Sequence, residues 1–237
     1  MTAELAERLD TAALTATPIP QIASRAGLDA AAAYTVQEQL VARRLARGER
    51  LVGIKLGLTS RAKMAQVGVD EVIWGRLTDG MTVADGSTVD TSRLIHPRIE
   101  PEVAFLLDAA GNATAVAPAL EVIDSRYADF RFALADVIVD NSSAAAYAIG
   151  SWRPVPDGVD NLGVLLEVDG RVVQIGSTAA ILGDPRRAVS QGLRLAGRVE
   201  AGWVLLAGAA TAAVPLAKGA YVRAVVEGLG AVGVRAS

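Results

Sequence analysis

Residues 96–107 read "HPRIEPEVAFLL", in which Glu100 and Glu102 flank Pro101 just ahead of an apolar run. In a β-strand alternate side chains share a face, so this spacing points both carboxylates the same way. Like charges held side by side repel, and a strand that enters a core cannot leave them solvated. Buried carboxylates stay charged only beside a cation, either a basic side chain or a metal. A third acid stands in "PALEVIDSRYADFRF", where Glu121 opens another short apolar run, with Asp124 and Arg126 beyond it. Three carboxylates without histidine or cysteine favour Mg²⁺ or Mn²⁺ over Zn²⁺. Spacing alone leaves two plainer readings open: an exposed face of solvated acids, or a Glu121 paired with an arginine.

The surrounding sequence has the texture of short strands. "LVGIKLGL", "LGVLLEV", "RVVQIG", "WVLLAG" and "YVRAVVEGLGAVGV" alternate with Gly- and Asp-rich turns such as "VDGR". Helical spacing appears at 3–16 and roughly 29–47, separated by the two prolines of "TPIPQIASRAG". Further helices are expected near 60–67 and after "GDPRRA", where Asp184 can cap and Pro185 suits the first turn. The pattern is α+β, with a mixed β core (49–237) behind an N-terminal helical extension (1–48), and not a βαβ series. Arg43, Arg44 and Arg47 gather at the end of the second helix, where the dipole favours a solvated cationic end.

Apolar residues make up 51% of the 237-residue chain and aromatics only 4%, so the core must be built from Val, Leu, Ile and Ala. Lys+Arg 23 against Asp+Glu 26 gives net charge -3, which offers no general attraction to nucleic acid or an anionic membrane. The absence of cysteine removes disulfides, thiol nucleophiles and Cys-based zinc sites together. "MTAELAERLDTAAL" has acids where a signal peptide has positive charge, and the uncharged stretch 201–217 is broken by Gly202, Gly208 and Pro215. These features point to a cytoplasmic protein that handles small molecules.

Outside the acids, Lys55 is a lone lysine in an apolar strand. It either snorkels to the surface or faces a closed pocket, where desolvation would lower its pKa and suit it to proton transfer. Asp79, in "WGRLTDGM", is a turn residue unless it lies near Lys55. The group Asp140, Asn141, Ser142, Ser143 reads as a helix cap, and Ser177 and Thr178 precede a short helical run that can cap or bind an anion. His96 is the single histidine, and no G-x-S-x-G elbow, G-x-G-x-x-G or Walker loop is present, which disfavours covalent hydrolysis and nucleotide cofactors.

Taken in order, "GIKLGLTSRAKMAQVGVDEVIWGRLTDGM", "HPRIEPEVAFLL", "PALEVIDSRYADFRF", "DNSSA", "GSTAAILGDP" and "GLGAVGV" resemble the hydratase/decarboxylase branch of the fumarylacetoacetate hydrolase superfamily over nearly the whole chain. The resemblance implies a β-roll or barrel-like core and Mg²⁺ or Mn²⁺ held by Glu100, Glu102 and Glu121. It implies catalytic roles for Lys55 and Asp79. Substrate contacts are expected at Arg126, Ser143, Thr178 and position 57, where Gly57 leads into Leu58, Thr59 and Ser60, with Ser143 and Thr178 as holders of the distal carboxylate. It further implies a homo-oligomer able to associate with a 2-oxopent-4-enoate hydratase. Between the E-x-E strand and "ALEVIDSR" the chain has only "LDAAGNATAVA", shorter than the family's usual helix-containing connection, which bears on the adjacent wall or subunit contact.

The activity implied is decarboxylation of the 2-oxo dicarboxylic acid 2-oxohex-3-enedioate. Its 1-carboxylate and 2-oxo group can chelate a dication, and the electrons released at C5 can spread through C3=C4 to the ketone oxygen. Hydration of 2-hydroxypenta-2,4-dienoate is the alternative on the same site, and a non-catalytic hydratase partner is a third reading.

Overall fold

The computed structural model describes residues 2–24, 26–60, 64, 71–131 and 133–237. The helix expected near 60–67 lies outside the described residues apart from Ser60 and Met64. Helices α1 (Thr2–Thr15) and α2 (Ala30–Ala46) realise the two helical patterns, and Asp29 caps α2 by accepting from Ala32 N at 2.8 Å. Leu5, Ala6 and Leu9 of α1 and Ala33, Val36 and Leu40 of α2 share one buried cluster with Ile73, Tyr127 and the short α3 (Leu134–Val139). The helical extension therefore packs onto the strand-bearing part through a common core.

The arginines at the end of α2 are not a solvated cap, as the dipole reading expects. Arg43 Nε and Arg47 Nη1 lie 3.0 and 2.7 Å from Asp10 Oδ2 on α1. Burial pushes the Asp10 carboxyl up, but the two guanidinium groups overcome that and hold it below its ordinary value. Arg44 pairs instead with Glu49, at 2.9 Å. What the helix end does is clamp α1 to α2, because a buried carboxylate needs a cation.

The strands are β1 (Leu51–Gly57), β2 (Ile73–Thr78), β3 (Thr82–Val83), β4 (Thr88–Val89), β5 (Arg98–Leu107), β6 (Ala113–Ile123), β7 (Ala144–Ile149), β8 (Gly163–Val168), β9 (Arg171–Ser177), β10 (Val204–Leu206), β11 (Val214–Pro215), β12 (Tyr221–Val226) and β13 (Gly230–Ala236). The larger sheet follows the order β2-β1-β10-β5-β6-β7-β3, with β11 added on β5; the smaller is β4-β13-β12-β8-β9. Helix α4 (Arg186–Ala196) begins after Pro185, and the Asp184 carboxylate accepts from Arg186 N at 2.9 Å. The architecture is the expected α+β fold, a half-barrel of mixed sheets with few helices.

Strands β5 and β6 form a hairpin in continuous register from Arg98↔Ile123 to Leu106↔Ala115, which sets Glu100 directly opposite Glu121. Their connection is a tight turn. The Asp108 carboxylate accepts from Ala110 N and Asn112 N, and Gly111 takes φ 84. The short "LDAAGNATAVA" thus needs no helix, since it only reverses the chain and starts β6.

One face of this hairpin carries Ile99, Leu120 and Val122, which pack against Leu166, Val222, Ala224, Val232 and Val234 of the smaller sheet. The opposite face carries Glu100, Glu102 and Glu121 among small side chains, Ala104 and Ala119. Strand alternation makes the division: residues that would be costly against the second sheet all fall on the inner face of the curled larger sheet.

Candidate active site

The three glutamates meet on that inner face. Glu100, Glu102 and Glu121 are all buried, and each offers a carboxylate oxygen within 4.8 Å of the others. Strand β1 brings Lys55 to them: its Nζ lies 3.0 Å from Glu121 Oε2 and donates to the Ser142 carbonyl, also at 3.0 Å. Glu102 Oε2 accepts from Gly208 N at 2.8 Å, whereas the buried Oε1 atoms of Glu102 and Glu121 find no hydrogen-bond partner among the described residues.

The electrostatics follow from burial. Desolvation pushes the Glu102 carboxyl well above its ordinary value, the charges of Glu121 and Glu100 add to it, and Lys55 and the Gly208 N–H pull only partly back. Glu121 is raised by burial as well, with Lys55 opposing. For Lys55 burial works against the ammonium, but Glu121, Glu102 and Glu100 outweigh it and the pKa stands above the ordinary lysine value. Desolvation alone would lower it, as a closed pocket implies, but the neighbouring carboxylates reverse the direction.

Three buried acids set this close together favour a cation among them. Unpartnered carboxylate oxygens, an all-oxygen donor set and small neighbouring side chains fit a hard divalent ion that keeps positions free for a ligand.

Gly208 is the sequence's missed contributor. In "LLAGAAT" it served only to argue against a membrane span, yet its N–H holds Glu102. It adopts φ +108, and a Cβ there would lie 2.1 Å from Thr59 Oγ1. Only glycine fits both the conformation and the contact. Gly208→Ala is expected to lower stability by about 1–3 kcal/mol and to weaken metal binding, read by denaturant melts and metal titration.

The turn Asn141–Ser143 is not a helix cap. Asn141, Ser142 and Ser143 have φ of 50, 52 and 59, three successive left-handed residues that ordinary side chains disfavour. The Asn141 amide secures the turn by accepting from Arg76 N at 2.8 Å and donating to Arg76 O at 2.9 Å, and Ser142 Oγ donates to Trp74 O. Gly75 admits this approach, since a Cβ there would stand 2.6 Å from Asn141 O. The product of the turn is the Ser142 carbonyl at Lys55, which no local sequence signal announced.

Other expected site residues are engaged elsewhere. Asp79 accepts from Arg50 N at 2.9 Å and pairs with Arg50 Nε at 3.0 Å. Thr78 pairs with Leu51 and Gly75 with Lys55 in the β1–β2 ladder, so Asp79 lies at the far end of that ladder from Lys55. Arg126 is enclosed: it pairs with Asp140 and donates to the Asp124 and Ala144 carbonyls at 2.7 and 3.1 Å. Ser143 approaches Asp140 at 3.5 Å, and its carbonyl accepts from Asp124 N. Thr178 Oγ1 donates to Val159 O at 2.6 Å and accepts from Leu162 N, while Ser177 Oγ caps Ala179 N. Each of these groups is bonded to backbone or to a neighbouring side chain. Gly57 shares the face of Lys55 at the end of β1, against Ile73, and leads to Leu58 at φ 56 and the buried Thr59 beneath Gly208.

Fold and site together define an α+β protein with a buried all-carboxylate cluster suited to a hard divalent ion. No family model matches the chain. It is 47% identical to a 4-oxalocrotonate decarboxylase of Pseudomonas sp. over 95% of this chain and 94% of that one. The chain belongs to the 4-oxalocrotonate decarboxylase family. A 2-keto-4-pentenoate hydratase of Paraburkholderia xenovorans is 34% identical over 84% of this chain and 81% of its own length. Among solved structures, the 4-oxalocrotonate decarboxylase from Pseudomonas putida complexed with magnesium and adipate superposes with TM-score 0.92 at 36% identity, covering 100% of this chain and 97% of that chain. A fumarylpyruvate hydrolase from Pseudomonas aeruginosa in complex with Mn²⁺ and pyruvate, at TM-score 0.60 and 14% identity, shares the fold, covering 78% of this chain and 88% of that chain.

Proposed function

We propose that this chain decarboxylates 2-oxohex-3-enedioate to 2-hydroxypenta-2,4-dienoate and CO₂ with Mg²⁺, or Mn²⁺, as cofactor. The observation that carries the reading is the buried triad Glu100, Glu102, Glu121 with Lys55 set against it. The three carboxylates would hold the ion, which supplies Lewis acidity toward the 1-carboxylate and 2-oxo group of the substrate. Lys55, kept cationic by its neighbours, is placed to donate to the 2-oxo oxygen. That oxygen gains charge as the C5–C6 pair moves into C4–C5 and the C3=C4 pair into C2–C3. The Gly208 N–H and the hairpin register fix Glu102 and Glu121, so the donors need not reorganise during the reaction. Ala104, Ala119, Leu206 and Met81 line the same region and keep bulk water from the reacting atoms.

The test is CO₂ release from the purified chain. Decarboxylation is expected with Mg²⁺, and its loss with chelator is expected to reverse when the metal returns. Water addition to 2-hydroxypenta-2,4-dienoate without CO₂ release from the diacid would make the chain a hydratase. Silence with both substrates would make it a non-catalytic partner.

Among the described residues no helix is long and apolar enough to cross a membrane. The same reading places the chain in the cytoplasm as a homo-oligomer able to join a 2-oxopent-4-enoate hydratase. In support, the edge strand β9 exposes Val172, Val173 and Ile175, the last 76% accessible, as edge strands that stay unpaired seldom do.

A further inference from the structure

We propose that Arg98, with His96 beside it, receives the distal carboxylate of the dicarboxylic substrate, an inference that rests on the decarboxylase reading. The sequence's candidates for that group, Ser143 and Thr178, are engaged elsewhere: Ser143 Oγ lies 3.5 Å from Asp140, and the Thr178 hydroxyl is bonded to Val159 O and Leu162 N; Arg126 is likewise enclosed by Asp140 and two carbonyls. Lys55 is held by Glu121 and the Ser142 carbonyl. A second negative charge on the substrate therefore needs another cation.

Arg98 stands where one is required. The β5–β6 register is unbroken from Arg98 to Leu106, so Arg98, Glu100 and Glu102 project from the same face. Two residues of strand place the Arg98 backbone about 7 Å from that of Glu100. The four carbon–carbon bonds from the ketone carbon of the substrate to its distal carboxyl carbon span about 5 Å, and the arginine side chain covers the remainder.

The guanidinium is half-buried and oriented. Nη2 donates to Ala213 O at 2.7 Å, and Cζ lies 5.8 Å from the centre of the Phe130 ring. The loop that holds it is the one whose Gly208 N–H holds Glu102, so the wall that grips the metal ligand also grips this cation. Among the described residues Arg98 has no carboxylate in ion-pair range, and Nη2 to Ala213 O is the hydrogen bond its guanidinium makes. His96 packs on the same Phe130 ring at 4.8 Å, and its buried Nε2 has no hydrogen-bond partner among the described residues. Two nitrogen groups with donors to spare against one aromatic ring, one at the start of the strand of the metal ligands and one two residues before it, form a site of the right polarity for a carboxylate.

The experiment compares Arg98→Met and Arg98→Lys with wild type in Mg²⁺. It measures the KM for 2-oxohex-3-enedioate and inhibition by adipate, a six-carbon diacid, and by oxalate, which reaches only the metal side. Arg98→Met is expected to raise KM and the adipate inhibition constant about 10- to 100-fold while oxalate inhibition stays within about threefold, and Arg98→Lys should recover part of the loss. Unchanged adipate inhibition, or equal weakening of adipate and oxalate, would overturn the proposal. Wild-type CO₂ release in the same assay separates its failure from failure of the decarboxylase reading, which would show as an inactive wild type.

Discussion

Replacing Glu102 by glutamine is expected to abolish turnover while leaving the metal-free protein as stable as before or more so. Glu102 is buried beside two other carboxylates, and both its burial and their charge oppose its ionisation. Glutamine keeps the shape and the oxygen that accepts from Gly208 N but removes one of three repelling charges. In chelator the unfolding midpoint should therefore hold or rise, by about 2–4 °C for each kcal/mol of relief in a chain of this size. With magnesium the order reverses. An ion present at about 100 times its dissociation constant adds about 2.7 kcal/mol to wild type. Glu102→Gln should lose that increment, because deleting a ligand exceeds the roughly 10- to 100-fold loss in affinity seen for outer-shell partners. Thermal melts with and without Mg²⁺, beside CO₂ assays, read all three effects. A variant that still gains stability from magnesium and still turns over would remove Glu102 from the metal site.

Lys55→Met is expected to show the opposite signature with the same loss of activity. The ammonium is 3.0 Å from Glu121 Oε2 and is the cation that offsets the buried acids from within the chain. Removing one partner of a buried pair costs about 3–5 kcal/mol, so the metal-free variant should melt well below wild type. A positive charge beside the site also opposes a dication, so magnesium should bind Lys55→Met as tightly as wild type or more so, and should restore much of the stability. Turnover should stay low in saturating metal, since the donor to the 2-oxo oxygen is gone. Weaker metal binding in Lys55→Met would show that Lys55 acts by shaping the triad and not as a charge opposed to the ion. The two variants cross: one stabilises the empty site and loses the ion, the other destabilises the empty site and keeps it.

Much of this site was legible in short stretches of chain. Two glutamates two positions apart in a strand must share a face, and that holds wherever the strand ends up. The helices α1 and α2 also follow from local pattern, because periodicity acts over a few residues. The residues expected as ligand contacts, Arg126, Ser143 and Thr178, are polar groups in apolar surroundings, which the sequence marks as special without saying who meets them. The structure supplies Asp140 for Arg126 and the Val159 carbonyl for Thr178. Asp79 failed to join Lys55 for a related reason: an antiparallel ladder carries residues past Gly75 away from Lys55 as β2 runs on.

The sequence alone determined that acids would line one face of a strand, that hard-cation chemistry suited them, and which family the chain resembles. Tertiary structure alone decided that Glu121 lies opposite Glu100, that Lys55 meets Glu121, and that Gly208 and the Ser142 carbonyl stand beside them. The physical reason is range. Alternation, capping and turn geometry are set by bonds between near neighbours, whereas a pKa or a hydrogen bond across the fold depends on groups a hundred residues apart that only packing brings within 3 Å of each other.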